Sequence, residues 1–252
     1  MSFTKSILCF CLFSIIFSNC EDTHSKKNKQ SPEINKDTVS VTTIKTQKSD
    51  SISTTIDINT SLQKEIDKAP FKLTNENLIE FMTAYGQKNP ETLVKVTTRY
   101  GDIHIQLYKE TPIHRANFIY LVKEKYFDET FFYRVAKGFV IQGGNSDRQE
   151  MAVKRFEIGK YTIPQEPVKG LKHVRSAVAL SKQWIDNPSN RSTPYEFFIV
   201  IAKEGAPHLD GEHTIFGKVI KGMKIADKIS NVPTDSSEWP KENIFIKAEV
   251  IR

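Results

Sequence analysis

Residues 131–145 bring together three side chains whose types could do chemistry as a group. Arg134 supplies a permanent cation, Gln142 supplies an amide that donates and accepts hydrogen bonds, and Phe139 supplies an apolar ring. A double glycine, Gly143-Gly144, follows directly. An apolar surface with one fixed cation and one amide suits a neutral, amide-like ligand better than a phosphate or a metal ion.

This run resembles the core motif of cyclophilin-type peptidyl-prolyl isomerases, F-[HY]-R-x-x-x-x-F-x-x-Q-G-G. Residues 196–200 resemble the family's Q-F-F-I strand, and residues 209–219 resemble its L-D-G-x-H-x-x-F-G-x-V segment. Upstream, residues 99–108 resemble its first strand and residues 111–118 its first helix. The resemblance covers about residues 93 to 252, which we interpret as one cyclophilin-like domain.

The elements that must position these residues are mostly strands. Residues 93–98 and 102–108 are rich in β-branched residues and joined by Tyr100-Gly101, which predicts a hairpin. Thr111-Pro112 predicts a helix start with a hydroxyl cap. Further strands are predicted at 131–135, 140–142, 177–180, 196–201, 214–219 and 244–251, with a short helix at 223–229. The pattern predicts a mainly β fold, which the resemblance makes a closed eight-stranded antiparallel β-barrel capped by two helices.

Residues 69–92, ahead of the resemblance, predict a helical N-terminal extension. Potential cap residues at 74–77 precede a set of apolar residues on one helical face, namely Leu78, Ile79, Phe81 and Met82. The helix is expected to end near Gly86 or Asn89-Pro90. Its apolar face either packs on the domain as a brace or docks a partner.

The first residues predict export. Lys5 precedes an apolar run over residues 7–17, which is shorter than the ~20 residues needed to span a bilayer, so residues 1–19 are predicted to be a signal peptide. Phe17-Ser18-Asn19-Cys20 resembles a bacterial lipobox, which implies a lipid anchor on Cys20. A plain signal peptide with an incidental cysteine is the alternative, because Asn19 departs from the usual Gly or Ala.

Residues 20–68 are rich in Ser, Thr, Lys, Asn and Asp and contain no aromatic residue. Such a segment cannot bury enough apolar area to offset its ordering entropy, which predicts a disordered tether. A short strand at residues 52–56 is the alternative.

Composition and spacing argue against several other functions. The net charge of +6 comes from basic residues interleaved with acidic ones, so no nucleic-acid partner is expected. All three cysteines fall in the first twenty residues, so we expect no disulfide in the folded part. The histidines show no metal-ligand spacing, and neither a phosphate loop nor a Gly-x-Ser-x-Gly elbow occurs. We expect a monomer with no metal and no cofactor.

The resemblance implies a reaction that makes and breaks no covalent bond. Rotation about a peptide bond faces ~18–20 kcal/mol, and the isomers preceding proline interchange over roughly tens to hundreds of seconds. A catalyst must favour the twisted amide, whose proline nitrogen regains a lone pair. Arg134 falls on the family's catalytic arginine and could donate to that nitrogen. Gln142 falls where the family's glutamine binds the substrate backbone and steadies the arginine.

The resemblance also assigns substrate-binding positions, which are Phe139, Val140, Glu196, Phe198, His208, Leu209 and His213. Among them, Phe139, Phe198 and Leu209 fall where the family supplies the apolar pocket for the proline ring. His213 either shapes the pocket wall or is a buried histidine satisfied by the backbone. Glu196 replaces the usual glutamine and, if ionised, could pair with Arg134. His208 replaces a common tryptophan, which implies weak cyclosporin binding with activity kept.

Residues 182–195 form a longer loop than is usual in the family. This loop borders the peptide groove, and Trp184 or Tyr195 is expected to contact the substrate residue ahead of the proline. The alternative is a surface loop with Trp184 folded back on the barrel.

The sequence therefore predicts a peptidyl-prolyl cis-trans isomerase acting on proline-containing unfolded or exported polypeptides. Its expected location is extracytoplasmic, lipid-anchored on the periplasmic or cell-surface side of a bacterial membrane. Two alternatives remain. One is a non-catalytic proline-peptide binding module that lost turnover through Glu196, and the other is an adhesin or scaffold that uses the barrel only as a fold.

Overall fold

An antiparallel sheet of eight strands forms most of the domain in the computed structural model, which describes residues 71–251. The strands of this sheet and of a separate parallel pair are β1 (Leu73–Thr74), β2 (Leu93–Thr98), β3 (Gly101–Leu107), β4 (Phe131–Ala136), β5 (Val140–Asn145), β6 (Gly159–Lys160), β7 (Ala177–Lys182), β8 (Ser192–Val200), β9 (Ile215–Lys221) and β10 (Lys247–Val250). Over the same residues there are four α-helices, α1 (Leu78–Lys88), α2 (Pro112–Lys123), α3 (Gln149–Ile158) and α4 (Met223–Ile229). The mainly β prediction is confirmed.

The eight strands follow the order β10-β2-β3-β9-β7-β8-β5-β4, and every neighbouring pair is antiparallel. The predicted hairpin is confirmed, because β2 and β3 pair without a break from Leu93↔Gln106 to Thr98↔Gly101. Strands β5, β8 and β7 are neighbours in the middle of this order, so residues distant in sequence meet there.

The predicted closed barrel is not confirmed, because β4 and β10 remain the two ends of a curled sheet. An isolated antiparallel bridge between Phe131 and Phe245 connects these ends. The segment 244–251, predicted as one strand, pairs with two different strands. Its first residues meet β4, whereas from Lys247 onwards it pairs with β2 as β10. Since no continuous ladder forms on the β4 side, the sheet stays open at this seam.

Three of the four α-helices, α1, α2 and α4, match the sequence predictions, and one was missed. Helix α2 begins at Pro112, and α4 spans Met223–Ile229 as predicted. Helix α3, which the sequence pattern did not indicate, buries only Met151 and Ile158. Two buried residues in ten are too few to give a helical periodicity that a reading of the sequence would detect.

The start of α2 is capped differently from the prediction. Thr111 precedes the helix, but its hydroxyl makes no capping hydrogen bond. Instead, the carboxylate of Glu166 accepts from the backbone N–H groups of Ile113 at 3.0 Å and His114 at 2.8 Å. A carboxylate at a helix N-terminus satisfies free donors and opposes the positive end of the helix dipole. A residue fifty positions away thus fixes the start of α2.

Helix α1 packs on the domain, as the brace interpretation expected. Leu78 and Met82 are fully buried in the same core as the sheet. The guanidinium of Arg115 on α2 donates to the backbone oxygens of Gly86 at 2.9 Å and Asn89 at 2.8 Å, the last turn and the end of α1. These bonds tie α1 to α2 through its free carbonyl end.

An aromatic cluster forms the centre of the core. Phe118 on α2 lies with its ring centroid 5.0 Å from Phe127, 5.5 Å from Phe197 on β8 and 5.2 Å from Phe216 on β9. All four side chains are buried. Edge-to-face and tilted aromatic contacts of this kind add to the stabilisation from area burial. The cluster therefore joins α2 to the strands that carry the candidate site.

Several sequence predictions lie outside the described residues. They are the signal peptide over 1–19, the lipobox cysteine Cys20, the tether over 20–68 and the alternative strand at 52–56. Within residues 71–251, no helix is both long and apolar enough to cross a membrane.

Candidate active site

Arg134 and Gln142 face each other across the β4–β5 hairpin. They are direct partners in the ladder, and Arg134 Nη1 donates to Gln142 Oε1 at 3.3 Å. Gln142 Nε2 in turn donates to Ser181 Oγ on β7 at 2.7 Å. This second bond fixes which way the amide points, so its oxygen faces the guanidinium.

The hairpin turn depends on Gly138. Its φ of 72° lies in the left-handed region that favours glycine. Phe139 N donates to Ala136 O at 2.9 Å, which closes the turn. Gly138 thus serves the tight turn of this hairpin.

A cavity of about 80 Å³ opens beside the guanidinium. Its lining contains Arg134, Phe139, Val140, Gln142, Ser181, Lys182, Trp184, Phe198, Leu209 and His213. The structure therefore brings together seven of the nine predicted active-site residues. Glu196 and His208 do not line this cavity. Ser181 and Lys182, which do, were not predicted, although both directly follow the predicted strand 177–180.

His213 combines both roles that the sequence left open. Its ring lines the cavity edge-on to Phe198, with centroids 5.2 Å apart, and its Nδ1 donates to Leu180 O at 3.0 Å. Burial, together with the nearby charge of Lys182, lowers the pKa of His213 to about 4. At neutral pH the ring is therefore uncharged, with its proton on Nδ1, and the wall stays compatible with an apolar ligand.

His208 acts on the cavity only through Phe139. The two rings are stacked with centroids 5.3 Å apart. His208 thus contacts a lining residue without lining the cavity itself, and its predicted contact with substrate stays a prediction.

Glu196 contacts partners other than the predicted one. Tyr133 donates its hydroxyl to Glu196 Oε2 at 2.9 Å, Asn145 Nδ2 donates to Oε1 at 3.0 Å, and Arg155 Nη2 lies 3.9 Å from Oε1. Burial and the nearby negative charge of Glu196 raise the pKa of Tyr133, which keeps its hydroxyl protonated as a donor. The predicted pair between Glu196 and Arg134 is therefore wrong, because the carboxylate is already satisfied by three other groups.

The carboxylate that does pair with Arg134 belongs to Glu238, with Nη2 and Oε2 2.7 Å apart. Sequence reasoning missed this residue. Glu238 lies about a hundred positions after Arg134 in a segment between α4 and β10, where no pattern in the sequence indicates proximity.

The predicted loop 182–195 is shorter in the structure, because Lys182 ends β7 and β8 begins at Ser192, so Trp184 lies on the loop and Tyr195 on β8. Trp184 lines the cavity, and its ring meets His213 edge-on at 5.6 Å, although the side chain is 72% exposed. Lys182 Nζ lies 4.6 Å from the Trp184 ring centroid. Tyr195 points elsewhere, because its hydroxyl donates to Gly159 O at 2.6 Å. Of the two residues predicted as alternatives, Trp184 lines the cavity and Tyr195 does not.

A second constellation has distances that would suit a hydrolase but lacks access. His114 Nδ1 lies 2.5 Å from Glu166 Oε2, and His114 Nε2 lies 3.0 Å from Ser192 Oγ. Both His114 and Ser192 are buried, so no substrate could reach the hydroxyl. We interpret the chain as a structural network that ties α2 to the start of β8. Among residues 71–251, no group of three or more His, Cys, Asp or Glu side chains could hold a metal.

Glu196→Gln is expected to leave kcat/KM for a proline peptide within about threefold of the parent, since the carboxylate touches neither Arg134 nor the cavity. The measurement is the cis-to-trans rate of a short proline peptide with each purified protein. An inactive parent with turnover gained in Glu196→Gln would instead favour the binding-module alternative.

Comparison with known proteins identifies the family of this chain. A family model described as cyclophilin type peptidyl-prolyl cis-trans isomerase/CLD matches residues 93–250. The chain belongs to the cyclophilin family. The matched part of this cyclophilin contains every residue that lines the cavity beside Arg134.

Relatives of this cyclophilin bear the same enzyme name. A peptidyl-prolyl cis-trans isomerase of Acinetobacter baylyi is 36% identical over 151 residues, which cover 58% of this chain and 75% of that protein. Peptidyl-prolyl cis-trans isomerase-like 1 of Neurospora crassa is 36% identical over 163 residues, covering 64% and 95%. Peptidyl-prolyl cis-trans isomerase-like 2 of Rhizopus delemar is 34% identical over 170 residues, but this chain spans only 30% of that relative. Family and relatives make this cyclophilin a peptidyl-prolyl cis-trans isomerase.

Solved structures agree with this assignment. A crystal structure of a Cryptosporidium parvum cyclophilin type peptidyl-prolyl cis-trans isomerase has a TM-score of 0.54 and 28% identity, covering 64% of this chain and 98% of that chain. A second structure of that protein, in the presence of the dipeptide Ala-Pro, has a TM-score of 0.53 and 29% identity, covering 64% and 99%. The likeness covers nearly all of the two solved chains.

Proposed function

We propose that this cyclophilin isomerises X-Pro bonds of extracytoplasmic polypeptides, with Arg134 as the catalytic hydrogen-bond donor. The observation that carries the proposal is the position of its guanidinium, held by Gln142 at the rim of a small apolar cavity. The cavity binds the proline ring, and the cation meets the bond that must rotate.

The apolar walls select the ring and exclude water from it. Phe139, Phe198 and Leu209 line the cavity, and Phe198 and Leu209 are buried. Enclosing an apolar ring among such side chains is favourable in proportion to the apolar area removed from water. When the proline ring is held in place, the preceding carbonyl can still rotate relative to it. Binding energy therefore contributes to rotation about the X-Pro bond alone.

The charge of Arg134 stabilises the twisted amide more than the planar one. In the planar amide the proline nitrogen shares its lone pair with the carbonyl and accepts hydrogen bonds poorly. On twisting, the lone pair localises and can accept from a guanidinium N–H. A donor that gains strength only in the transition state lowers the barrier without trapping the substrate.

Gln142 is proposed to act on both Arg134 and the substrate. Its Oε1 accepts from Arg134 while Ser181 fixes its Nε2 end, so the amide holds the arginine and offers its remaining capacity to the substrate backbone. The binding-module alternative assumed that Glu196 withdraws Arg134. Since Glu196 binds Tyr133 and Asn145 instead, the contacts favour the enzyme.

The proposed substrates are proline-containing unfolded or newly exported polypeptides. The cavity accepts one ring, and its rim is formed by side chains that any extended peptide could contact. The related protein from Cryptosporidium parvum was crystallised in the presence of the dipeptide Ala-Pro, which supports an X-Pro unit as the recognised element. The decisive experiment is the comparison of peptide isomerisation by the parent and Arg134→Ala, described in the Discussion.

The extracytoplasmic location and the bacterial lipoprotein form rest on the first twenty residues. The apolar run and the lipobox-like Phe17-Ser18-Asn19-Cys20 support export followed by lipidation of Cys20. A single acyl chain binds a membrane only reversibly, so stable attachment through Cys20 needs at least one further membrane-binding signal.

Cys20→Ala is expected to abolish incorporation of a labelled fatty acid and to move the protein from the membrane fraction to the soluble fraction. Cys11→Ala is the matched control, since that cysteine lies inside the predicted signal peptide and should have no effect. Unchanged fractionation of Cys20→Ala would show a protein that carries no lipid on this cysteine.

A further inference from the structure

The closest charged partner of the proposed catalytic arginine is Glu238. Arg134 Nη2 lies 2.7 Å from Glu238 Oε2, whereas Nη1 lies 3.3 Å from Gln142 Oε1. The side chains of Arg134 and Glu238 are 38% and 43% exposed. The Glu238 carboxylate therefore makes the shorter of the two contacts on this guanidinium. Because the group is partly exposed to solvent, it would be free to move without such contacts.

Glu238 is presented by a turn that the structure fixes at several points. Its backbone oxygen accepts from the N–H of Val135, the residue directly after Arg134, at 2.8 Å. The Asp235 carboxylate accepts from the N–H of Trp239 at 2.9 Å, and the Trp239 ring lies 5.4 Å from that of Phe131 on β4. The turn is thus docked on the strand that carries the arginine.

The backbone of Glu238 is itself unusual. Its φ of 63° lies in the left-handed region, which a residue other than glycine adopts only where its surroundings impose it. Here the bonds to Val135 and Asp235 impose it, and the result is a carboxylate directed at Arg134.

We propose that Glu238 is a positioning residue for Arg134, an inference that rests on the proposed role of Arg134 as the donor. Gln142 holds one terminal nitrogen of the guanidinium and Glu238 holds the other, so the plane of the group is set before a substrate binds. An arginine has five N–H donors, and these two contacts leave the others for the proline nitrogen. A substrate therefore need not displace Glu238.

The same geometry predicts the kinetic signature. Fixing a donor in advance removes the cost of ordering it in the transition state, which affects turnover more than substrate affinity. Because the pair is partly exposed, the expected effect is moderate. Glu238→Ala should lower kcat by roughly threefold to tenfold with KM little changed. Glu238→Gln should retain most activity, because its amide oxygen can accept the same hydrogen bond.

The test measures kcat and KM for a short proline peptide and records the Arg134 Nε–H signal by ¹⁵N NMR in the purified parent and both variants. The signal should be sharp in the parent and in Glu238→Gln and broadened in Glu238→Ala. Glu242→Ala is the matched control. It removes a nearby glutamate that pairs with Arg99 at 2.9 Å, away from the groove, and should change neither readout. Equal thermal unfolding midpoints would show that all proteins are folded.

An unchanged kcat and an unchanged Arg134 signal in Glu238→Ala would overturn the proposal. A kcat that rises would also overturn it, since Glu238 would then compete with substrate for the arginine. Failure of the proposed function is distinguishable, because it would appear as no turnover by the parent. In that case the NMR signal still reports whether Glu238 fixes the guanidinium.

Discussion

Replacing Arg134 with alanine is expected to lower kcat/KM for a proline peptide by roughly 10²–10³, by analogy with removal of a single oxyanion-hole donor. The cavity proposed to bind the proline ring keeps the apolar walls Phe139, Phe198 and Leu209 in this variant, so the variant should still bind the peptide. The loss therefore falls on the step in which the proline nitrogen needs a donor, not on recognition of the ring.

The measurement is the cis-to-trans rate of an Ala-Pro-containing peptide, with binding followed separately by NMR titration. Arg99→Ala provides a matched control, because Arg99 is an exposed arginine paired with Glu242 outside the groove. Arg134→Lys tests geometry against charge, since an ammonium keeps the charge but lacks the planar fork. Full turnover by Arg134→Ala would contradict the mechanism, and tight binding of one partner without turnover would favour a scaffold.

Replacing Phe197 with alanine is expected to reduce the free energy of unfolding by about 3–5 kcal/mol. The ring is fully buried and meets Phe118, Phe127 and Phe132 at centroid distances of 5.5, 5.6 and 6.0 Å. Its removal leaves a cavity where three rings lose a partner. Since these rings join α2 to β8, the surroundings have little freedom to collapse into the space.

Equilibrium denaturation in urea measures this loss, with the slope of the transition confirming that the same surface is exposed. Phe156→Ala is the control. That ring is 72% exposed and contacts Lys72 Nζ, which lies 3.4 Å from the ring centroid, so its removal should cost no more than about 1 kcal/mol. A similar small effect in Phe197→Ala would mean that the aromatic cluster is not the stabilising centre described above.

Phe197 and its neighbour Phe198 show why the strand pattern alone could not assign these roles. Phe197 belongs to the aromatic core, whereas Phe198 lines the cavity, yet both are buried. Successive side chains of a strand point to opposite faces, so the sequence alone shows that Phe197 and Phe198 lie on opposite faces of the sheet. It cannot fix which face meets α2 and which meets Arg134, because that depends on how the sheet curls. Here the resemblance to a family supplied the answer.

The sequence by itself determined which residues could do chemistry together and where most of the strands lie. Arg134 and Gln142 lie eight residues apart on one hairpin, and local rules for turns and alternation suffice to place them together. The same holds for the β2–β3 hairpin and the helix at 223–229. In each case the deciding contacts are short-range in the chain, so the local pattern contains them.

Only the tertiary structure decided which charges meet. Glu238 rather than Glu196 pairs with Arg134, Glu166 rather than Thr111 caps α2, and the segment 244–251 divides between two strands. Each of these outcomes depends on residues roughly fifty or more positions apart, and every candidate carboxylate looks equivalent in the sequence. A carboxylate pairs with the cation or N–H group that the fold brings within about 3 Å. That distance is set by the packing of the strands, turns and helices, which no local pattern specifies.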